Sequence, residues 1–230
     1  MFGEYSYIND SGPLYYETAM REGLIEPWNA YSSLVYLIPV IVFLFQLYPH
    51  YSRYPFVSYF ASPLLFIGGV GSMLYHAFRC CDILMWLDVA PIFILTLSLG
   101  AYFFYLAYEK KMQSFVFLLL FVAIRYGGFA FFELQTAINI SYFLTGVYIF
   151  IPAFLLLKKT AFLGWKQLLF SVVLFGIALF MRWYDDYYQH LFSAGTHWLW
   201  HIFSAGGAYA LGLFILFQSP FSKTPLEKPL

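Results

Sequence analysis

Ile83-Leu84-Met85-Trp86-Leu87-Asp88-Val89-Ala90-Pro91-Ile92-Phe93-Ile94-Leu95-Thr96-Leu97-Ser98-Leu99-Gly100-Ala101-Tyr102-Phe103-Phe104-Tyr105-Leu106-Ala107 is an apolar run whose sole charged side chain is Asp88. A helix needs about 20 mostly apolar residues to cross a bilayer, so 83–107 reads as a membrane span. It is bounded by Arg79-Cys80-Cys81-Asp82 before it and Glu109-Lys110-Lys111 after it. Six runs of the same character flank it, at roughly 29–48, 56–78, 113–132, 137–157, 165–183 and 194–217. Tyr48-Pro49-His50, Glu133-Leu134-Gln135, Lys158-Lys159 and Tyr184-Asp185-Asp186 separate them. Short connections force sequential helices to lie antiparallel, so the sequence predicts an all-α, polytopic membrane protein folded as a seven-helix bundle.

Composition excludes the common alternatives. Of 230 residues, 62% are hydrophobic, 24% aromatic and 10% charged, whereas a soluble domain carries about 25% charged residues. Lys plus Arg and Asp plus Glu balance at a formal charge of zero. Without a basic patch there is nothing to neutralise phosphates, which excludes nucleic acid as a partner, and no motif for a protein partner is evident. The adjacent Cys80 and Cys81 make neither a CxxC pair nor a disulfide framework. Arg21 is the first positive side chain, so residues 1–28 lack the basic start and apolar run of a cleaved signal peptide. They read as a polar cap outside the membrane, with 29–217 as the seven-helix transmembrane domain and 218–230 as a cytoplasmic tail.

Orientation follows from basic residues, which collect in cytoplasmic loops. Arg53, Lys110, Lys111, Lys158, Lys159, Lys166, Lys223 and Lys228 follow odd-numbered spans; Arg21, Arg79 and Arg182 lie on the other side, and Arg125 lies inside a span. This asymmetry puts the C-terminus in the cytoplasm and the N-terminus outside.

Ionisable groups within apolar spans are costly, so they face the bundle interior and mark a site. Ser72 and His76 close the second span four residues apart, on one helix face. Asp88 lies about 9 Å into the third span by helix rise. His197 and His201 open the seventh span, again four apart. Because helix direction alternates, all these groups meet at similar depth near the outer surface. Three imidazoles with one open position are a ligand set for catalytic zinc. Zinc-activated water with Asp88 as general base would hydrolyse an amide or ester, with Ser72 donating to that water or to the oxyanion. The plainer alternatives are an interhelical hydrogen bond for His76, easy packing for Ser72 and an ion pair between Asp88 and Arg125. His50 and His190 sit in loops.

The cap holds a second cluster, Glu17, Glu22 and Glu26, with Asn29 behind it. Oxygen ligands suit calcium; the alternative is a solvated acidic face. The run Tyr184-Asp185-Asp186-Tyr187-Tyr188-Gln189-His190 reads as an interfacial aromatic belt. Gly68, Gly69 and Gly71 on the second span, with Gly195, Gly206, Gly207 and Gly212 around the seventh, are expected to let those two helices approach closely.

Glu26-Pro27-Trp28-Asn29-Ala30-Tyr31-Ser32, Gly71-Ser72 through Tyr75-His76, Leu87-Asp88 with Pro91, and His197 through Trp200-His201 together make a pattern spanning nearly the whole chain. It resembles the alkaline ceramidase family, within the wider superfamily of seven-span membrane hydrolases that includes the adiponectin and progestin receptors. The resemblance implies an intramembrane zinc amidase that cleaves ceramide to a sphingoid base and a fatty acid. It matches His76, His197 and His201 to the zinc ligands, Asp88 to the water-positioning carboxylate and Ser72 to the family's site serine. Glu26 matches a carboxylate that helps bind calcium. Where the family has an Asp-aromatic-Cys-Glu run, this chain has Leu14-Tyr15-Tyr16-Glu17, so one Asp ligand is missing. The implied substrate is a ceramide-like lipid arriving laterally from the bilayer. A seven-span lipid receptor or scaffold, with a structural zinc closed by Asp88 or Ser72, is the alternative reading.

Overall fold

A computed structural model describes residues 8–19, 24–185, 187 and 191–218. Arg21 and Glu22 of the cap, Asp186 and His190 before the last span, and the tail with Lys223 and Lys228 lie outside the described residues. Among those described, seven helices are long and apolar enough to cross a membrane: α1 Pro27–Leu47, α2 Phe56–Phe78, α3 Asp82–Tyr108, α4 Lys111–Ala130, α5 Leu134–Lys159, α6 Trp165–Trp183 and α7 His197–Gln218. No strand accompanies them. The chain is an all-α, multi-pass membrane protein.

The helix ends differ from the sequence reading by a few residues, each for a local reason. Helix α1 enters with Pro27 in its first turn, where a missing N–H costs nothing. Helix α7 begins at His197 rather than 194, because Gly195 adopts φ +70° and turns the chain immediately before it. Helix α5 extends to Leu134, absorbing residues that read as a separator.

Neighbours in sequence pack together: α2 along α3 and α6 along α7, while α3 also packs on α5. The first turns of α1 wedge between α2 and α7. That wedge corrects the glycine expectation. A side chain at Gly68 would strike Ile92 of α3, one at Gly69 would strike Tyr36 of α1, and one at Gly207 would strike Phe175 of α6. The glycines therefore join α2 to α1 and α3, and α7 to α1 and α6, rather than α2 to α7.

Pro91 sits inside α3, where its ring nitrogen cannot donate to the Leu87 carbonyl. A Cβ at Gly71 would overlap that same carbonyl, so only glycine lets α2 lie this close to α3. The next residues along each helix are Ser72 and Asp88. The bundle's main core lies towards the other end of the helices, where Phe43, Val57, Phe103, Tyr148, Leu211 and Phe214 are buried against one another. Outward faces carry exposed Ile38, Phe45, Leu120, Ile124 and Phe170, as lipid contact requires.

Candidate metal centre

His76 ends α2, and His197 and His201 occupy the first two turns of α7; all three are buried. Their ring centroids stand 5.4 Å (His76 to His197), 5.2 Å (His76 to His201) and 4.8 Å (His197 to His201) apart. One nitrogen from each lies within 4.8 Å of the others. With metal–nitrogen bonds of about 2.0–2.1 Å at tetrahedral angles, ligating imidazoles have centroids about 5 Å apart. The triangle therefore fits a zinc-sized ion.

Hydrogen bonds fix which nitrogen faces the centre. Glu26 Oε2 accepts a short hydrogen bond from His76 Nδ1. Ser32 Oγ donates to the Asn29 carbonyl at 3.1 Å, so its lone pair accepts from His201 Nδ1 at 2.8 Å. Both rings are thereby left with an open Nε2 lone pair, the arrangement in which a second group orients a metal-binding histidine. His197 is held differently. Its backbone N–H and that of Thr196 donate to Asp185 Oδ1 at 2.8 and 2.6 Å. Its ring stacks on Tyr15 at 3.8 Å, and its Nδ1 faces the Arg182 guanidinium at 3.4 Å. Burial pushes the Tyr15 phenol up, outweighing the opposing pull of Arg182, so it stays protonated.

Ser72 is buried beside half-buried Asp88 on the wall of a polar cavity of about 350 Å³, which His197, His201, Arg182 and Arg125 also line. Ser33 Oγ lies 3.0 Å from Ser72 Oγ, linking α1 to the group. The structure thus brings together every residue in the zinc reading. It does not pair Asp88 with Arg125: the Arg125 guanidinium donates to Thr145 Oγ1 at 3.3 Å and covers the Phe93 ring.

Glu17 and Glu26, the candidate calcium ligands, spend their oxygens elsewhere. Glu17 accepts the backbone N–H groups of Trp28 (2.6 Å) and Asn29 (2.9 Å), capping α1. Glu26 Oε1 accepts from Arg79 Nη1 (2.6 Å) and Thr18 Oγ1 (2.7 Å) while its other oxygen holds His76. Arg79 also pairs with Asp10 at 2.8 Å. The Arg79 guanidinium thus lies between Glu26 and Asp10, while both Glu17 oxygens accept from backbone N–H groups. Burial alone would raise the Glu26 carboxyl, but His76, Arg79 and Thr18 outweigh it and hold it below the ordinary carboxylate value.

No family model and no curated protein matches the chain.

Several site residues escaped the sequence reading. Arg79 follows His76 by one helical turn, a spacing that could have suggested a shared partner. It takes φ +46°, a left-handed conformation costly for a side-chain-bearing residue, and its two ion pairs hold it there. Asp185, read as part of an aromatic belt, lies eleven residues before the Thr196 N–H that it accepts. No local motif signals a cap reached from that distance.

Proposed function

We propose that the protein is an intramembrane zinc-dependent amidohydrolase that cleaves the N-acyl bond of ceramide, or of a related lipid amide, to a sphingoid base and a free fatty acid. One observation carries this reading: three buried imidazoles cluster, two with their Nε2 lone pairs freed by hydrogen bonds, and two of the three line with Asp88 a polar cavity that shares its wall with an acyl-sized apolar space. That second cavity, about 610 Å³, is lined by groups such as Phe43, Phe56, Leu99, Phe150 and Leu211. Tyr36, Thr96, Tyr142 and Trp200 line both cavities. Along α7 the apolar space follows the helix from Trp200 to Ile215, about 22 Å by helix rise. Its wall includes exposed Phe143, Val147 and Phe154 of α5 and reaches Phe175 and Leu179 of α6. A lipid can therefore approach between those helices from the bilayer.

Zinc held by His76, His197 and His201 would supply a Lewis acid that acidifies water and polarises the amide carbonyl. Asp88 takes one proton from the attacking water and delivers it to the departing nitrogen. The C–N bond breaks, a C–O bond forms, and the water's O–H remains on the acyl carbon, giving a carboxylic acid and an amine. Ser72 and Ser33 hold the Asp88 side of the site in register, and Glu26 and Ser32 fix two of the imidazoles. Glu17 and Glu26 act in this reading as positioning groups, without calcium. The excess of Lys and Arg after odd-numbered spans supports a site on the non-cytoplasmic side with the C-terminus in the cytoplasm.

The test pairs metal analysis of detergent-purified protein with mass-spectrometric detection of fatty acid and sphingoid base released from a ceramide panel, for wild type and His201→Ala. About one zinc per chain, with release abolished in the variant, is the expected result. Zinc without release from any ceramide would favour the receptor or scaffold with a structural metal, and a zinc-free protein would sink both.

A further inference from the structure

Arg182 lies near the outer end of α6 with 4% of its surface exposed. Among the described residues no carboxylate comes within 4.0 Å of it. Asp88 acts on it only through space, across the polar cavity. Its Nε hydrogen finds no acceptor, and its Nη1 contacts are long, 3.4 Å to the Tyr15 hydroxyl and 3.4 Å to His197 Nδ1. Three aromatic faces surround the guanidinium, with its central carbon 5.6 Å from the Tyr15 centroid, 4.6 Å from Tyr142 and 5.6 Å from Trp200. Rings attract the cation but bring no negative charge. Arg79 makes the contrast, being equally enclosed but paired with both Asp10 and Glu26. Asp88 faces Arg182 only across the cavity and the Arg182 Nε–H is unpartnered, so the guanidinium turns an unsatisfied cationic edge towards whatever fills that space.

Arg182 lines the polar cavity, and two of the rings it lies on, Tyr142 and Trp200, line both that cavity and the apolar one. We propose that Arg182 forms an anion subsite for the carboxylate of a long-chain amphiphile whose chain lies in the apolar cavity. It deepens the amidohydrolase reading by naming the chemistry beside the metal centre. Two sources share that chemistry: the fatty acid that hydrolysis releases, and a lipid amide bearing an acidic group next to its amide nitrogen. Planar guanidinium suits either, because it can donate two parallel hydrogen bonds to one carboxylate.

The test measures displacement of a fluorescent polyene fatty acid from the full-length, zinc-loaded protein in neutral detergent. Competitors are palmitic acid, N-palmitoylglycine and, as a neutral chain of equal length, methyl palmitate. At least one acid should bind roughly tenfold or more tighter than the ester, the effect of a hydrogen bond to a charged group. That preference should vanish in Arg182→Gln and survive in part in Arg182→Lys, with methyl palmitate affinity unchanged in both as the check that the cavity is intact. A preference for palmitic acid alone identifies the released product, and one for N-palmitoylglycine identifies an acidic lipid amide. Equal binding of acid and ester by wild type overturns the proposal. So does an acid preference that persists in Arg182→Gln, the more plainly if chelation of the metal removes it, since the carboxylate then sits on the metal. No turnover is required, so failure to hydrolyse ceramide and failure to bind acids remain separate results.

Discussion

The two ends of this bundle are held together by opposite means. At one end Phe43, Phe103, Tyr148, Leu211 and Phe214 interlock as side chains without charge. At the other, Asp10, Arg79, Glu26 and His76 form a buried chain of ion pairs and hydrogen bonds, with Ser32, Ser33 and Asp185 fixing the neighbouring turns. Within a membrane neither end gains much from hiding apolar surface from water, because lipid tails are as apolar as leucine. The apolar end is held by close packing, which is additive and tolerant of small repairs. The polar end is held by groups that each need a specific partner, so one loss leaves a buried charge or donor stranded. The proposed site lies at the end where orientation is already enforced.

The largest effect is expected at the candidate metal centre. His201→Ala should abolish zinc binding and turnover together, whereas Asp88→Asn should keep zinc and lower turnover about 10²–10⁴-fold, the contribution of a positioned base. Metal analysis beside a product assay separates the two, and a fully active Asp88→Asn protein would remove Asp88 from the reaction. Phe214→Ala attacks the apolar end. A cavity there should cost about 3 kcal/mol, at the low end for such a change because lipid, rather than water, is the reference solvent. Zinc content should not change; if it falls in a protein that still melts cooperatively, the two ends are coupled and the comparison fails. Glu26→Gln sharpens the polar end. It keeps the shape but removes the charge shared by His76 and Arg79, and should weaken zinc about 10- to 100-fold, the usual effect of losing a group that orients a metal-binding histidine. Competition with a chelator of known affinity measures it, and an unchanged zinc affinity would show that His76 needs no help from Glu26.

The two ends also differ in how far they can be read from sequence. The spans were legible because apolar length is a property of consecutive residues, as in 83–107. Ser72, His76, Asp88, His197 and His201 were legible because a polar group in a span needs a reason to be there, and helix periodicity puts each four-residue pair on one face. Their supports were not. Arg79 reaches Asp10 across 69 positions, and Ser32 reaches His201 across 169, so no window along the chain contains either pair. Glycine was misread for the same cause: Gly71 signals that something comes close, but only the carbonyl freed by Pro91 says that the neighbour is α3. In sequence Arg182 reads only as a charge that bears on orientation, since burial without an ion pair is invisible until the fold is closed.

The smallest expected effect concerns Glu17, where the cap joins the polar end. Its carboxyl is pushed up to about 7, chiefly by burial, despite the two backbone N–H groups that favour its charge. Glu26 adds to the rise and His76 opposes it, and both remain when Glu17 is replaced. Between the ordinary value near 4.5 and about 7, the folded chain keeps a proton that the unfolded chain has lost. Linkage then makes this group's contribution greatest below the unfolded value and lost as pH rises through the folded one. Glu17→Gln stays neutral throughout and has no such dependence. The melting temperature of wild type minus that of the variant should therefore shrink by a few degrees between about pH 5 and pH 8, measured by intrinsic fluorescence in one detergent. If capping outweighed burial instead, ionisation would strengthen the fold and the difference would widen over the same range. A widening difference would move Glu17 into the class of Glu26, a carboxylate whose partners hold it charged, and would make the polar end uniformly one of satisfied charges.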